Sequence, residues 1–221
     1  MYSRLIDDPF EEEPMTSAAP VVARESATAA FQVPTGRRWT VADVAHLPED
    51  LHYELIDGRL LLPPAPMPIH QSIGIDLALA FRAHCPDGVF VSVDSSVMID
   101  MHSEPRPDVV LIREEGASRT PVLGTDVLLV VEIVSRSSQV TDRQDKMKLY
   151  SYGGIPDYWI IDPLTERITF AQFRLGPDGV YRKQLEADGL ITVDQPWQVT
   201  LDLPDWTRRR DRLRAVARPD G

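Results

Sequence analysis

The sequence predicts an α/β domain, in detail an α+β arrangement with a central mixed β-sheet flanked by helices. Two observations carry this. Short apolar runs rich in Val and Ile recur at strand length, at 89–93, 108–112, 127–134, 158–161 and 168–175. Two segments with apolar residues at helical spacing interrupt them, one from Pro68 to about Cys85 and one from Thr141 or Asp142 to Gly153-Gly154. Strands and helices interleaved in this way pack as layers around a sheet.

The elements follow in order. Residues 1–36 mix Ala, Pro, Ser, Thr and acids without periodicity, and are expected to form a disordered tail. Thr40 caps a short helix through Val41, Val44 and Leu47, with Asp43 at the capping-box position and Pro48 as its stop. Tyr53 to Ile56 and Arg59 to Leu62 form a hairpin around Asp57-Gly58, a pair suited to the tight turn. In the next helix Ile69, Ile73, Leu77, Ala80 and Phe81 make one stripe, with His70 near it. Strands are expected at 89–93, 97–99, 108–112 and 127–134, then a helix, then strands at 158–161, 168–175, 180–185 and 197–203. A Gly-Pro-Asp-Gly turn at 176–179 joins two of these. Residues 204–221 are expected to be an Arg-rich tail, which leaves 37–203 as the single domain.

Composition narrows the function. The one cysteine, Cys85, excludes an internal disulfide and a Cys-rich zinc site, as suits a reducing cytoplasm. No apolar run reaches the roughly 18 to 20 residues that span a bilayer, so a soluble, cytoplasmic protein without membrane contact is expected. The net charge of −11 is uneven: residues 1–36 carry −4, residues 204–221 carry +3 and the body −10. A general positive field for nucleic acid is thereby excluded. Such a substrate would have to be reached through a metal, a local patch such as Arg208-Arg209-Arg210, or a partner.

The chemistry concentrates in two strands. Asp108 opens the run Asp108-Val109-Val110-Leu111-Ile112, and Glu132 lies within Val127 to Val134. An antiparallel pairing with Ile112 near Leu128 brings Asp108 beside Glu132, on one face of the sheet. Facing carboxylates repel and an unpaired buried one is costly, so a cation is expected between them, with a divalent metal as the leading candidate. The helix that follows carries two lysines. At 100° per residue Lys146 falls in the apolar sector with Leu149 and Tyr150, whereas Lys148 points away. Lys146 is therefore the inward cation, unless it lies at the edge of the stripe and reaches back to water.

With Glu54, His70, Pro107-Asp108, Val131-Glu132-Ile133-Val134-Ser135, Asp142, Lys146, Tyr150 and Tyr158-Trp159-Ile160-Ile161-Asp162-Pro163 in this order, the chain resembles the Uma-type restriction-endonuclease family. That family belongs to the PD-(D/E)XK nuclease superfamily. The resemblance spans roughly Trp39 to Leu203 and is most specific from Val130 to Pro163. The chain departs from the superfamily at Val134, where a lysine usually stands two residues after the glutamate. In this family the following helix supplies it, which by resemblance is Lys146. Arg136 replaces a frequent proline.

The resemblance implies a restriction-endonuclease-like core and a metal-dependent endonuclease hydrolysing phosphodiester bonds in DNA. Asp108, Glu132 and the Ile133 carbonyl would hold Mg²⁺ or Mn²⁺, with Lys146 orienting water or offsetting charge on the phosphorane. Glu54 would approach the same site, directly on metal or through water; otherwise it is a surface carboxylate beside the turn. His70 would contact phosphate or hold Glu54, or else be a hydrogen-bonded core histidine. Asp142 reads as a helix cap rather than a ligand, and Tyr150 and Trp159 as core aromatics. A homodimer is compatible, since two strands need two sites. Two other readings stay open: a non-catalytic nuclease-fold module binding a protein or nucleic acid, and a hydrolase of small phosphoesters.

Overall fold

The computed structural model describes residues 36–48, 50–136, 138 and 141–216, so the expected tail at 1–36 lies, but for Gly36, outside the described residues. The elements are α1 (Val41–Val44), β1 (Glu54–Ile56), β2 (Arg59–Leu61), α2 (Pro68–Arg82), β3 (Val89–Val93), β4 (Val97–Met98), β5 (Val109–Arg113), β6 (Val122–Leu123), β7 (Val127–Ile133), α3 (Lys146–Tyr152), β8 (Asp157–Asp162), β9 (Thr169–Leu175), β10 (Tyr181–Ala187), β11 (Leu190–Val193), β12 (Val199–Asp202) and α4 (Leu203–Val216). Six strands form the central sheet in the order β10-β9-β8-β7-β5-β3. It is mixed: β7 and β8 run parallel, as the helical crossover between them requires, and the other neighbours are antiparallel.

Alternation along the strands sends side chains to two cores. Val109, Leu111, Leu129, Val131, Ile133, Trp159 and Ile161 meet Ile73, Leu77 and Phe81 of α2 and Trp206 of α4 on one face. Val110, Ile112, Val130, Val134, Tyr158 and Ile160 meet Tyr150 of α3 on the other. Trp159 packs at a tilt against Phe81 and edge-to-face against Phe170, with ring centroids 5.1 and 5.0 Å apart, so it is the core aromatic expected. Thr40 and Asp43 form the full capping box of α1.

The pairing of β5 with β7 sets the site. Val109 faces Val131, Val110 faces Val130 and Leu111 faces Leu129, a register that continued by one residue puts Asp108 opposite Glu132. The assumed Ile112–Leu128 pair is corrected by a β-bulge, and Ile112 faces Val127 instead. The bulge lies beyond Leu111, away from the acids, so their juxtaposition survives it.

The expected Arg-rich tail from 204 is also corrected. Residues Leu203–Val216 form α4, and Arg210 is 2% exposed. Its guanidinium donates to the carbonyls of Pro163 at 2.9 Å, Thr165 at 2.8 Å and Glu166 at 2.6 Å. An arginine run reads as solvated surface, but here one of its members satisfies three carbonyls of the β8–β9 loop, and Arg209 pairs with Asp76 of α2. Arg210→Met should therefore cost about 3 kcal/mol in urea unfolding, because three carbonyls lose their donor. A loss under about 0.5 kcal/mol, the size of an ordinary surface change, would show that α4 is not anchored this way.

Candidate functional site

Lys146 is the centre of a buried ionic cluster. Its ammonium lies 2.7 Å from Glu54 Oε1, 3.1 Å from Glu132 Oε1 and 3.5 Å from Asp142 Oδ1. Glu54 comes from β1, Glu132 from β7, and Lys146 opens α3 after a π-helical turn over Thr141–Asp145. The lysine faces the sheet, as its place in the apolar sector predicts, and its side chain is only 5% exposed. The sheet supplies the acid and the helix the amine because Val134, two residues after Glu132, is committed to the core beside Tyr150 and Ile155.

Burial works against an ammonium, but Glu132, Glu54 and Asp142 together outweigh it and hold the Lys146 pKa well above its ordinary value. Burial pushes the Glu132 carboxyl well above the carboxylate range; Lys146 opposes this, and the charges of Asp142, Asp108 and Glu54 add to it. Asp142 is pushed up to about 6, again mainly by burial and against the pull of Lys146.

Three groups complete the cluster. The Tyr150 hydroxyl donates to Glu132 Oε1 at 2.6 Å, and the Arg106 backbone N–H donates to Glu54 Oε1 at 2.9 Å. The Tyr158 hydroxyl donates to the Asp142 carbonyl at 2.7 Å and braces the π-helical turn. Asp142, read from the sequence as a helix cap, lies inside the π-helical turn instead. It is 1% exposed, and among the described residues its Oδ1 has no hydrogen-bond partner but lies 3.5 Å from the lysine ammonium. The signal in the sequence is the spacing of four between Asp142, Lys146 and Tyr150, which stacks them on one face. Nothing in the sequence marks the Arg106 amide.

Asp108 and His70 form the more open side, with side chains 25% and 13% exposed. Asp108 Oδ2 accepts the Ile133 backbone N–H at 2.6 Å and lies 3.4 Å from His70 Nε2, which donates to the Ile133 carbonyl at 2.8 Å. Burial works against charging the imidazole, yet the hydrogen bond and charge of Asp108, with the Ile133 carbonyl, raise its pKa above the ordinary value. His70 thus meets Asp108 rather than Glu54, which is held by Lys146 and the Arg106 amide.

The donor set can be weighed against a metal. Among the described residues no three His, Cys, Asp or Glu side chains converge to hold an ion by themselves. Mg²⁺ does not need that, since it commonly takes one or two carboxylates and fills the remaining positions with water and substrate oxygens. Hard oxygens are present on Asp108, Glu132 and Ile133. Four carboxylates against one lysine and one histidine also leave an excess of negative charge that a divalent cation offsets. The residues fit such an ion.

Two predictions concern the cluster itself. Tyr150→Phe should lower stability by about 1–3 kcal/mol in denaturant titration, since Glu132 loses a buried donor; an unchanged midpoint would refute that bond. Because the folded protein holds the Asp142 proton more tightly than the unfolded chain, this group adds stability as pH falls from about 6 toward its unfolded value near 3.8, and nothing further below. The stability of wild type relative to Asp142→Asn, measured in chelator, should accordingly rise across that window on acidification. A difference that stays flat would mean that Asp142 ionises normally.

No functionally curated protein matches the chain. A solved structure from Anabaena variabilis, described as a "putative nuclease belonging to DUF820", shares the fold with a TM-score of 0.59 at 17% identity, over 77% of this chain and 98% of that one. The family model described as "Putative restriction endonuclease", Uma2, matches residues 41–211, so the strands that carry Glu54, Asp108 and Glu132 and the helix that carries Lys146 all fall inside the match, and the chain belongs to that family.

Proposed function

We propose that the protein is a metal-dependent endonuclease that hydrolyses phosphodiester bonds in DNA at the Asp108–Glu132–Lys146 site. The observation that carries this reading is the buried lysine set between Glu54 and Glu132, beside a more open aspartate at the end of the adjacent strand. Asp108, Glu132 and the Ile133 carbonyl would hold Mg²⁺ or Mn²⁺, with Glu54 close enough to act directly or through water. Bound there, the ion supplies a Lewis acid for the phosphate and lowers the pKa of an attacking water.

The chain's own residues divide the remaining work. Asp108 and His70 face the side from which a phosphate can enter. His70, whose Nε2–H donates to the Ile133 carbonyl at 2.8 Å, would contact a phosphate oxygen of the substrate. Lys146 stays protonated, so its role is electrostatic: it offsets the negative charge that grows on the phosphorane and opposes the push that burial gives the Glu132 carboxyl toward its protonated form. Tyr150 holds the Glu132 carboxylate in one orientation. Cutting both strands of a duplex takes two such sites, so the reading includes two copies on the substrate.

A non-catalytic module of the same fold is the second reading, favoured by the absence, among the described residues, of three converging side-chain ligands. The two part on plasmid DNA. Wild type should cleave it with millimolar Mg²⁺ or Mn²⁺ and stop in EDTA. Glu132→Gln, Asp108→Asn and Lys146→Met should stay folded by circular dichroism and lose about 100-fold or more of the rate. DNA that remains intact with either ion, or variants that cut as well as wild type, would sink the nucleolytic reading.

A further inference from the structure

A second cavity lies one strand outward from the carboxylates, against the edge strand β3 and the turn after it. Its volume is about 170 Å³. A water's share of the liquid is about 30 Å³, so a tetrahedral oxyanion of five heavy atoms fits inside. Arg106, Arg119, Ser92, Ser95 and Thr120 line it, with the Ser92 and Ser95 hydroxyls bonded to each other at 2.7 Å and Ile112 among the apolar residues.

Both arginines hold a carboxylate and keep donors to spare. Arg106 gives Nε to Asp94, which also lines the cavity, at 2.7 Å and Nη2 more weakly at 3.5 Å. Arg119 gives Nη1 to Asp126 at 2.9 Å. Among the described residues Arg106 Nη1, and Arg119 Nε and Nη2, make no hydrogen bond. The pairs fix the two planar groups at the wall, and the remaining N–H groups match the forked donor pattern that phosphate oxygens accept.

The cavity is joined to the catalytic strand by backbone. The main chain of Arg106 donates to Glu54 while its side chain lines the cavity. Asp94 donates its N–H to the Asp108 carbonyl at 3.1 Å and adopts a φ of 51°, a left-handed conformation that is sparse outside glycine and frequent at functional sites. Ser92 pairs with Val110, and Phe90 with Ile112. Cross-strand partners share a face, so the cavity lies on the face of Val110 and Val130, the one that Tyr150 covers and Glu132 shares.

We propose that this cavity is a phosphate-binding subsite in which Arg106 and Arg119 grip a backbone phosphate of the substrate chain next to the scissile one. It rests on the nucleolytic reading for its substrate, but not for its anion chemistry. The first test is thermal unfolding of the full chain in EDTA with inorganic phosphate, against chloride at equal ionic strength. Phosphate should raise the midpoint of wild type and of Glu132→Gln, and leave Arg119→Gln unmoved. Arg119 is half-exposed, so this variant folds even if Arg106→Gln does not. Equal shifts in wild type and Arg119→Gln would overturn the subsite.

The second test separates free phosphate from substrate. Binding of a short DNA oligonucleotide in EDTA should weaken about tenfold in Arg119→Gln. Neutralising one internal phosphate as a methylphosphonate should weaken wild type equally and have no effect on the variant. Phosphate binding that depends on Arg119, with unaltered DNA affinity, would make the ligand free phosphate and overturn the subsite's place on the substrate. Should the protein cut no DNA yet pass both tests, the catalytic reading fails and the subsite stands.

Discussion

The ammonium of Lys146, enclosed by Glu54, Glu132 and Asp142, is the constraint around which the rest of the molecule is arranged. Taking ions out of water costs several kcal/mol each, and their attraction repays it only when every partner is in place. The three acids come from a hairpin, the central strand and the turn before α3. An isolated two-stranded hairpin such as β1–β2 is marginal alone. Here it is tied down by reciprocal backbone bonds between Leu55 and Glu104 and by the bond from Arg106 to Glu54. The cluster therefore ties the hairpin to the sheet as well as shaping the chemistry.

Much of this is visible in the residues themselves, for a reason that also explains the gaps. Two acids interrupting long apolar strands are conspicuous because the period of two assigns each to a face, and antiparallel register then brings Asp108 to Glu132. Lys146 is conspicuous because helical period puts it among apolar neighbours. The short β6 and β11 and the helix α4 carry no such contrast. α4 is polar nearly all round, and only Trp206, Leu203 and Arg210 are buried. Its arginines look like surface until the loop carbonyls that Arg210 satisfies are known, and those come from residues more than forty positions earlier. Asp142 misleads for a related reason: a cap and a buried acid use the same residue in the same place, and only tertiary packing decides between them. The role of the Arg106 amide is a backbone property, which side-chain identity does not reveal.

The acids are unequal, and burial makes them so. Glu132 and Asp142 have side chains only 3% and 2% exposed, whereas Asp108 is 25% exposed and braced by a backbone N–H. Desolvation drives the first two toward the protonated state, so without further positive charge the cluster tends to hold a proton. A divalent ion held near Asp108 and Glu132, as proposed, would remove that tendency and leave the carboxylates ionised together. The same groups thus read in two ways, as carboxylates suited to a divalent ion and as a self-neutralised core. The balance between them is set by how strongly Lys146 alone can hold Glu132 ionised.

On the nucleolytic reading proposed above, an acidic body of −10 would have to approach a polyanion, and this shapes how a nucleic-acid contact could work. Long-range steering is unfavourable, so affinity has to arise at short range, where paired arginines and a divalent cation act within a Debye length of about 8 Å. The basic residues beside the site fit this pattern, because they come with acids attached: Arg59 with Asp145, Arg143 with Asp162, Arg106 with Asp94. An arginine already partnered offers directed hydrogen bonds without a broad positive field. If DNA is the substrate, as proposed, loose and sequence-independent adhesion would thereby be suppressed, and engagement would be confined to a backbone whose phosphates match the fixed donors. On this view the acidity of the chain and the chemistry of its site are compatible, the first restricting what binds and the second acting only on what is already in register.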